Sequence, residues 1–305
     1  MTGPAALLAC DWGTTRLRAW TLDAAGAVVE ARDFELGVAG LQAGEAARCF
    51  EDDVRPALAA AGLPAMLCGM IGSNLGWTPT LYVDCPADLA DVASRLTRAA
   101  EGVWIAPGLR CGGIAATPDV MRGEETQILG WLAQHPPHRH GRRLVCHPGT
   151  HAKWVVVEDG RILRFVTAMT GELFSVLGRH SVLKSDAPAD DDAAFDAGLA
   201  AAGDGDALAA RLFTARARVV AGLAQSRTTP SYLSGLLIGA EVASVPGRLT
   251  PSADPVVLLG DPDLCRLYAR ALGRRGISSE TFDGEAAAVA GLFALYATGA
   301  CRDPR

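Results

Sequence analysis

Lysine is almost absent from this chain. Lys153 and Lys184 are its only two among 305 residues, and the remaining positive charge is carried by arginines scattered along the sequence rather than gathered into a stripe. With a formal net charge of -6 and a pI near 5.5, that distribution excludes a general nucleic-acid binder, which needs a basic face. Cys-x-x-Cys pairs are also absent. The eight cysteines (10, 49, 68, 85, 111, 146, 265 and 301) stand apart, several within apolar runs, and read as buried free thiols of a reducing cytoplasm. No basic segment with an apolar core and a cleavage site opens the chain, so export is not expected. No apolar run reaches the roughly 20 residues of a membrane span; the longest, 286–300, is broken by glycine and reads as a buried helix. Two nucleotide motifs are missing as well. Without Gly-x-x-x-x-Gly-Lys-Ser/Thr the chain is no P-loop kinase, and without Gly-x-Gly-x-x-Gly after a strand a Rossmann dehydrogenase is unsupported.

What is present begins at once. Leu7-Leu8-Ala9-Cys10 is a continuous apolar strand, and Leu17 and Ala19 alternate with Arg16 and Arg18 in a half-buried second strand. The turn between them is chemically loaded. Gly13 lets a ligand approach the backbone N–H groups, Thr14 and Thr15 add hydroxyls, and Arg16 adds a cation, which together suit a phosphate. Asp11, ending the first strand, is an oxygen ligand suited to Mg²⁺ or its bound water. Asp-x-Gly is also an ordinary hairpin signal. A second copy tips the balance: Leu144-Val145-Cys146 leads into His147-Pro148-Gly149-Thr150-His151-Ala152-Lys153-Trp154, again strand, Gly-Thr turn and strand. Downstream turns repeat too, at Asp23-Ala24-Ala25-Gly26 and at Glu158-Asp159-Gly160. Two such hairpins opening two halves point to a duplicated nucleotide-binding fold with the phosphates gripped between the halves.

The pattern resembles the sugar kinase, heat-shock ATPase and actin superfamily, and more narrowly the 2-dehydro-3-deoxygalactonokinase family. Besides the two hairpins, the strings that carry the likeness are Gly69-Met70-Ile71-Gly72-Ser73 with Gly76-Trp77, Arg122-Gly123-Glu124-Glu125-Thr126-Gln127, and Met169-Thr170-Gly171-Glu172-Leu173-Phe174. The resemblance implies an α/β, two-domain actin-like (ribonuclease H-like, duplicated) fold with a nucleotide cleft between domains 1–142 and 143–305, the closing helix 286–298 packing back toward the first. It implies ATP and Mg²⁺ as cofactors and a small sugar acid as substrate. Gly13, Thr14, Thr15, Gly149, Thr150 and Lys153 would hold the phosphates, Asp11 the metal, Arg16 or Lys153 the charge of the transition state, and Gly260 would border the adenosine. Substrate contacts are implied for Met70, Ser73, Trp77, Glu125, Thr170 and Glu172.

Other segments are read from pattern. A helix is expected over 41–61, stopped by Gly62 and Pro64, and a buried strand over 65–68. The 70–77 loop holds no cation for a substrate carboxylate, so Arg95 and Arg98, placed on a following helix, and Arg110 are candidates, each equally a surface charge. Ile128, Leu129, Trp131 and Leu132 form one helical face, putting Glu124 and Glu125 in the first turn, where the macrodipole favours carboxylates. By superfamily likeness Glu124 is the general base, with Asp119 and Glu125 as rivals. The prolines among His135, His138 and His140 favour an interdomain linker over a metal site, and 185–209, with Asp190-Asp191-Asp192, reads as a solvated helical surface or loop. Helices are expected within 211–245, and a strand over 255–260 before a further helix.

A sugar-acid kinase of the cytoplasm accounts for both hairpins and the loop. A phosphohydrolase of the same superfamily would share the hairpins and the acidic pair, and a non-catalytic sugar sensor would keep the clamp alone. The few residues before the first hairpin weigh against a DNA-binding element and so against the sensor. Oligomeric state, a homodimer included, is open.

Overall fold

The structure, a computed structural model, describes residues 2–42, 44–114, 117–185, 187–249 and 254–301. They divide into two compact units: Met1–Gly141 with Val157–Arg164 and Asp283–Arg305 in one, Arg142–Val156 with Phe165–Phe282 in the other.

The first unit opens with the meander β1 (Ala5–Trp12), β2 (Leu17–Asp23) and β3 (Val28–Phe34). Each strand follows the pattern of its residues. Leu7 to Trp12 are buried throughout, as in a strand covered on both faces, whereas β3 is exposed at the sheet edge. A helical stretch follows as α1 (Glu45–Cys49), a π-type turn Phe50–Val54 and α2 (Arg55–Ala57). It is shorter than the expected 41–61. Pro56 has no N–H to give, the Arg55 N–H bonds back to Phe50 instead, and Ala59 and Gly62 leave the helix at positive φ. Then come β4 (Ala65–Cys68), β5 (Tyr82–Asp84), α3 (Leu89–Ala93), β6 (Thr97–Ala100), β7 (Val103–Ile105), β8 (Gly108–Gly112) and β9 (Pro118–Met121). The main sheet has the order β3-β2-β1-β4-β7-β6, with β4 parallel to β1 and to β7. A small sheet, β5-β8-β9, stands apart from it.

Two expectations are corrected here. Arg98 lies not on a helix but in β6, which pairs antiparallel with β7 across a turn at Gly102, where φ is +66°; Arg95 lies in the loop between α3 and β6. The small sheet was also unforeseen, its strands being short and carrying Gly108, Gly112 and Pro118. Helix α4 (Glu124–Gln134) is buried from Glu125 to Leu132, and its histidine-rich continuation folds back so that His138 stacks 5.1 Å from the Trp131 ring.

In the second unit's sheet, β10 (Arg142–His147), β11 (Ala152–Glu158) and β12 (Arg161–Ala168) form the next meander. Helices α5 (Thr170–His180), α6 (Asp192–Ala201), α7 (Leu208–Val220) and α8 (Thr229–Ser244) follow, then β13 (Val256–Gly260), α9 (Pro262–Arg274) and β14 (Ser279–Asp283). The order is β12-β11-β10-β13-β14, with β13 parallel to β10. This repeats the first sheet: third, second and first strands of a meander, then the next strand parallel to the first. Segment 185–209 is less solvated than its composition suggests. α6 buries Ala194, Phe195, Gly198 and Leu199, and a Cβ on Gly198 would sit 2.1 Å from the Tyr232 carbonyl of α8. The closing helix α10 (Gly284–Ala297) belongs to the first unit, where it packs along α4. Among the described residues no helix is long and apolar enough to cross a membrane, and all eight cysteines are free.

Candidate active site

The first turn is closed by the Gly13 N–H donating to the Arg16 carbonyl at 2.9 Å, which leaves Thr14, Thr15 and Arg16 exposed. The chain at 37–39 braces it from below. Val38 and Ala39 N–H groups bond the Gly13 and Thr14 carbonyls, and a Cβ on Gly37 would lie 2.2 Å from the Thr14 oxygen, so only glycine fits. The Asp11 carboxylate is held by Arg18, its directly opposite partner on β2, at 2.8 Å. Sequence reading favoured Arg16 as the cation of this turn and overlooked Arg18. The missing signal was strand register, which sets Arg18 across from Asp11 and sends Arg16 into the solvated turn.

Three segments converge beside Asp11. Gly69, which follows β4 with φ +89°, is so close that a Cβ there would meet the Trp12 carbonyl at 2.8 Å and Asp11 Oδ1 at 3.1 Å. A Cβ on Gly123, φ +109°, would in turn lie 3.2 Å from the Gly69 Cα. Three backbones therefore meet at van der Waals distance: the end of β1, the start of the 70–77 loop and the first turn of α4. Gly123 starts α4 with no side-chain cap, so the two glutamates supply that function. Glu124, half-buried, accepts the Arg122 N–H at 3.0 Å. Glu125 is fully buried, and its two oxygens accept the Gly123 N–H at 3.0 and 2.8 Å while one also accepts the Thr126 hydroxyl. Burial, and then the charge of Glu124, push Glu125 up to about 8. Glu125, expected among the substrate contacts, is thus fully buried and part of the helix start.

The loop residues have structural employment. Met70 and Trp77 pack on the core beneath the sheet, Trp77 at 5.4 Å from the Phe50 ring, and Ser73 Oγ accepts the Leu75 N–H. Of the cations considered for a carboxylate, Arg110 is forked onto Asp84 at 2.8 and 3.0 Å, and Arg98 lies 6.0 Å from the Trp104 ring. Asp119 lies on β9, within the small sheet rather than at the convergence.

In the second unit the turn 148–151 leaves Thr150 exposed and open space where a Gly149 Cβ would be. Helix α5 is docked on this turn. The Glu172 N–H bonds the Thr150 carbonyl at 2.9 Å, and a Cβ on Gly171 would strike the Gly149 oxygen at 2.5 Å. Thr170 is buried, with its hydroxyl on the Glu241 carboxyl, which also accepts Trp154 Nε1 at 2.6 Å and the Tyr268 hydroxyl at 2.8 Å. Burial raises Glu241, against the pull of those three donors. Glu172 bonds His151 Nε2, and Lys153, buried, gives Nζ to the His151 carbonyl at 3.1 Å. Thr170, Glu172 and Lys153 therefore build the second turn. Beside it lies a cavity of about 510 Å³, lined by Gly149, Thr170, Phe195, Ser234, Leu264 and Tyr268, at the N-terminus of α9 just past Gly260. Asp191 caps α6 and Asp192 pairs with Arg270, so the aspartate run serves the helix. Among the described residues no three His, Cys, Asp or Glu side chains group as a metal site.

A meander with a Gly-Thr turn, repeated on two sheets of equivalent topology, defines an actin-like nucleotide-binding fold of the kind found in sugar kinases. The activator of the 2-hydroxyisocaproyl-CoA dehydratase from Clostridium difficile shares the fold at 13% identity, with a TM-score of 0.53 over 97% of this chain and 96% of that one. Within that class the likeness is narrow. The model of the 2-keto-3-deoxy-galactonokinase family matches residues 11–295, and the chain belongs to that family. It is 35% identical to the 2-dehydro-3-deoxygalactonokinase of Escherichia coli (strain K12), over 93% of this chain and 95% of that protein. A Rhizobium meliloti (strain 1021) protein named probable 2-dehydro-3-deoxygalactonokinase is 36% identical over 96% and 97%. The crystal structure of a candidate 2-dehydro-3-deoxygalactonokinase from Sinorhizobium meliloti superposes with a TM-score of 0.84, at 36% identity over 96% of this chain and 98% of that one.

Proposed function

We propose that the chain transfers the terminal phosphoryl group of ATP to the 6-hydroxyl of 2-keto-3-deoxy-galactonate, a step of galactonate breakdown. The observation that carries this is the convergence at Gly69 and Gly123, which gathers Asp11, the 70–77 loop and Glu124 at one point. Phosphoryl transfer asks the protein mainly for positioning and charge stabilisation. The exposed Thr14 and Thr15 hydroxyls suit phosphate oxygens of the triphosphate. Within the second unit, Gly149 and Thr150 suit phosphate oxygens, and the cavity beside them suits a nucleoside. Glu124 Oε accepts the proton of the attacking 6-hydroxyl, its position fixed by the Arg122 N–H.

Mg²⁺ suits Asp11, because that ion keeps most of its waters and takes one or two carboxylates together with substrate phosphates. The residues present fit this mode, a single carboxylate rather than a cage. Bound there, the metal would neutralise phosphate charge. Arg18, already on Asp11, orients the carboxylate.

ATP consumption measured against a panel of 2-keto-3-deoxy sugar acids and aldonic acids, with phosphorus NMR of the product, tests the proposal. A 6-phosphate formed from the galactonate derivative supports it. Hydrolysis of ATP indifferent to the sugar would support a phosphohydrolase instead, and no turnover with any acid would support a sensor.

A further inference from the structure

A sugar acid carries a permanent negative charge at C1, and a site that selects it needs a cation left unneutralised by the protein. Three other arginines of the first unit are engaged: Arg110 by Asp84, Arg18 by Asp11, and Arg98 by the Trp104 face. Arg122 is different. Its guanidinium reaches from the residue before Gly123 to the 70–77 loop, where a Cβ on Gly72 would come within 3.1 Å of Nη1. Thr80 holds one end of it, its hydroxyl against Nη1 and its carbonyl accepting Nη2 at 3.2 Å. The Tyr82 ring lies against the face, 4.4 Å from Cζ. Thr80 is itself tied down, its N–H donating to the Gly72 carbonyl at 2.9 Å. Among the described residues no carboxylate pairs with Arg122, and Nε is buried with no hydrogen-bond partner. A buried N–H without an acceptor is rare and costly, and the Nε edge of a guanidinium is half of the fork that receives a carboxylate bidentately.

We infer that Arg122 binds the C1 carboxylate of the substrate, with Thr80 and Tyr82 fixing the plane of the guanidinium; the inference rests on the sugar-acid kinase reading above. Gly72 is glycine because any side chain there would crowd the Thr80 hydroxyl, 2.8 Å from its Cβ, as well as Arg122. One residue then serves both ends of the substrate. The Arg122 side chain anchors the acid, and its backbone N–H holds Glu124 at the hydroxyl to be phosphorylated. Acid selectivity and base placement are coupled through a single residue.

The test is steady-state kinetics of the parent, Arg122→Met, Arg122→Lys and Arg110→Gln with 2-keto-3-deoxy-galactonate and with its uncharged C1 amide, melting temperatures being recorded alongside. The parent should prefer the acid. Arg122→Met should raise KM for the acid about 10²-fold while leaving the amide within a few fold, so the preference collapses. Arg122→Lys keeps charge but loses the fork, and should lose about tenfold of the preference. Arg110→Gln should keep the parent ratio. A purely structural role would lower both substrates together and leave the ratio unchanged, which overturns the inference; if Arg122→Met does not fold, an unchanged ratio in Arg122→Lys overturns it equally. Failure of the parent to phosphorylate either compound would instead overturn the kinase reading itself.

Discussion

Glu124 and Glu125 are neighbours in sequence and opposites in environment. Glu124 is half-buried at the mouth of α4, while Glu125 is sealed beneath it with both oxygens on the Gly123 N–H. Glu124→Gln should therefore lower turnover at saturating ATP and sugar acid by about 10²–10⁴-fold with little change in melting temperature. A near-normal rate, with collapse in Asp119→Asn, would move the base to β9. Glu125 should show itself through stability instead. Its folded-state pKa, about 8, lies above the 4.5 of the unfolded chain. The folded state thus keeps a proton that the unfolded state releases, and this contribution is complete below about pH 4.5 and is lost as pH rises through about 8. Between pH 5 and 8 the parent's melting temperature should fall relative to that of Glu125→Gln, which has no proton to lose; a constant difference across that window would refute the assignment. The sequence identified the acidic pair and its helix start. It could not rank the two, because one helical position is a rotation of about 100°, and only packing shows which side is inward.

At the scale of elements, the strongly periodic or wholly apolar segments were legible: β1, β4, β7, β13, α8 and α10 lie close to where composition puts them. What escaped was set by partners distant in sequence. β6 is a strand because β7 turns back on it, and α6 is half-buried because α8 carries glycines opposite it. A Cβ on Gly235 would sit 2.1 Å from the Phe195 carbonyl. The same device joins α4 to α10, where a Cβ on Gly130 would lie 1.9 Å from the Ala287 carbonyl and one on Gly291 2.0 Å from that of Thr126. Alanine is the better helix former by about 1 kcal/mol, yet here overpacking of about 1–3 kcal/mol or more outweighs it. Gly130→Ala should lower the melting temperature by several degrees. Gly273→Ala, in α9 with open space around the site, should raise it slightly. Thermal denaturation of the pair checks both signs, and a gain for Gly130→Ala would mean that the two helices do not approach this closely.

At the scale of the whole molecule, the duplication read from two Gly-Thr turns extends to topology. The orders β3-β2-β1-β4 and β12-β11-β10-β13 correspond strand for strand, and the strand beside each meander leads to a glycine at positive φ, Gly69 after β4 and Gly260 at the end of β13. The turns are not chemically identical. The first is braced by 37–39 and flanked by the Asp11–Arg18 pair, whereas the second is docked on α5 through Gly171 and stands beside the cavity. Thr14 and Thr150 are both exposed, so replacing either by valine removes a hydroxyl at little cost to the fold. If each hydroxyl donates to the triphosphate, each replacement forfeits a hydrogen bond to a charged group, about 1.5–3 kcal/mol. The KM for ATP should then rise by about 10–100-fold in Thr14→Val and in Thr150→Val, with the KM for the sugar acid nearly constant and melting temperatures unchanged. ATP titrations of the two variants decide between one turn and two. A Thr150→Val protein that handles ATP like the parent would leave the second hairpin a relic of the duplication, with phosphate binding confined to the first.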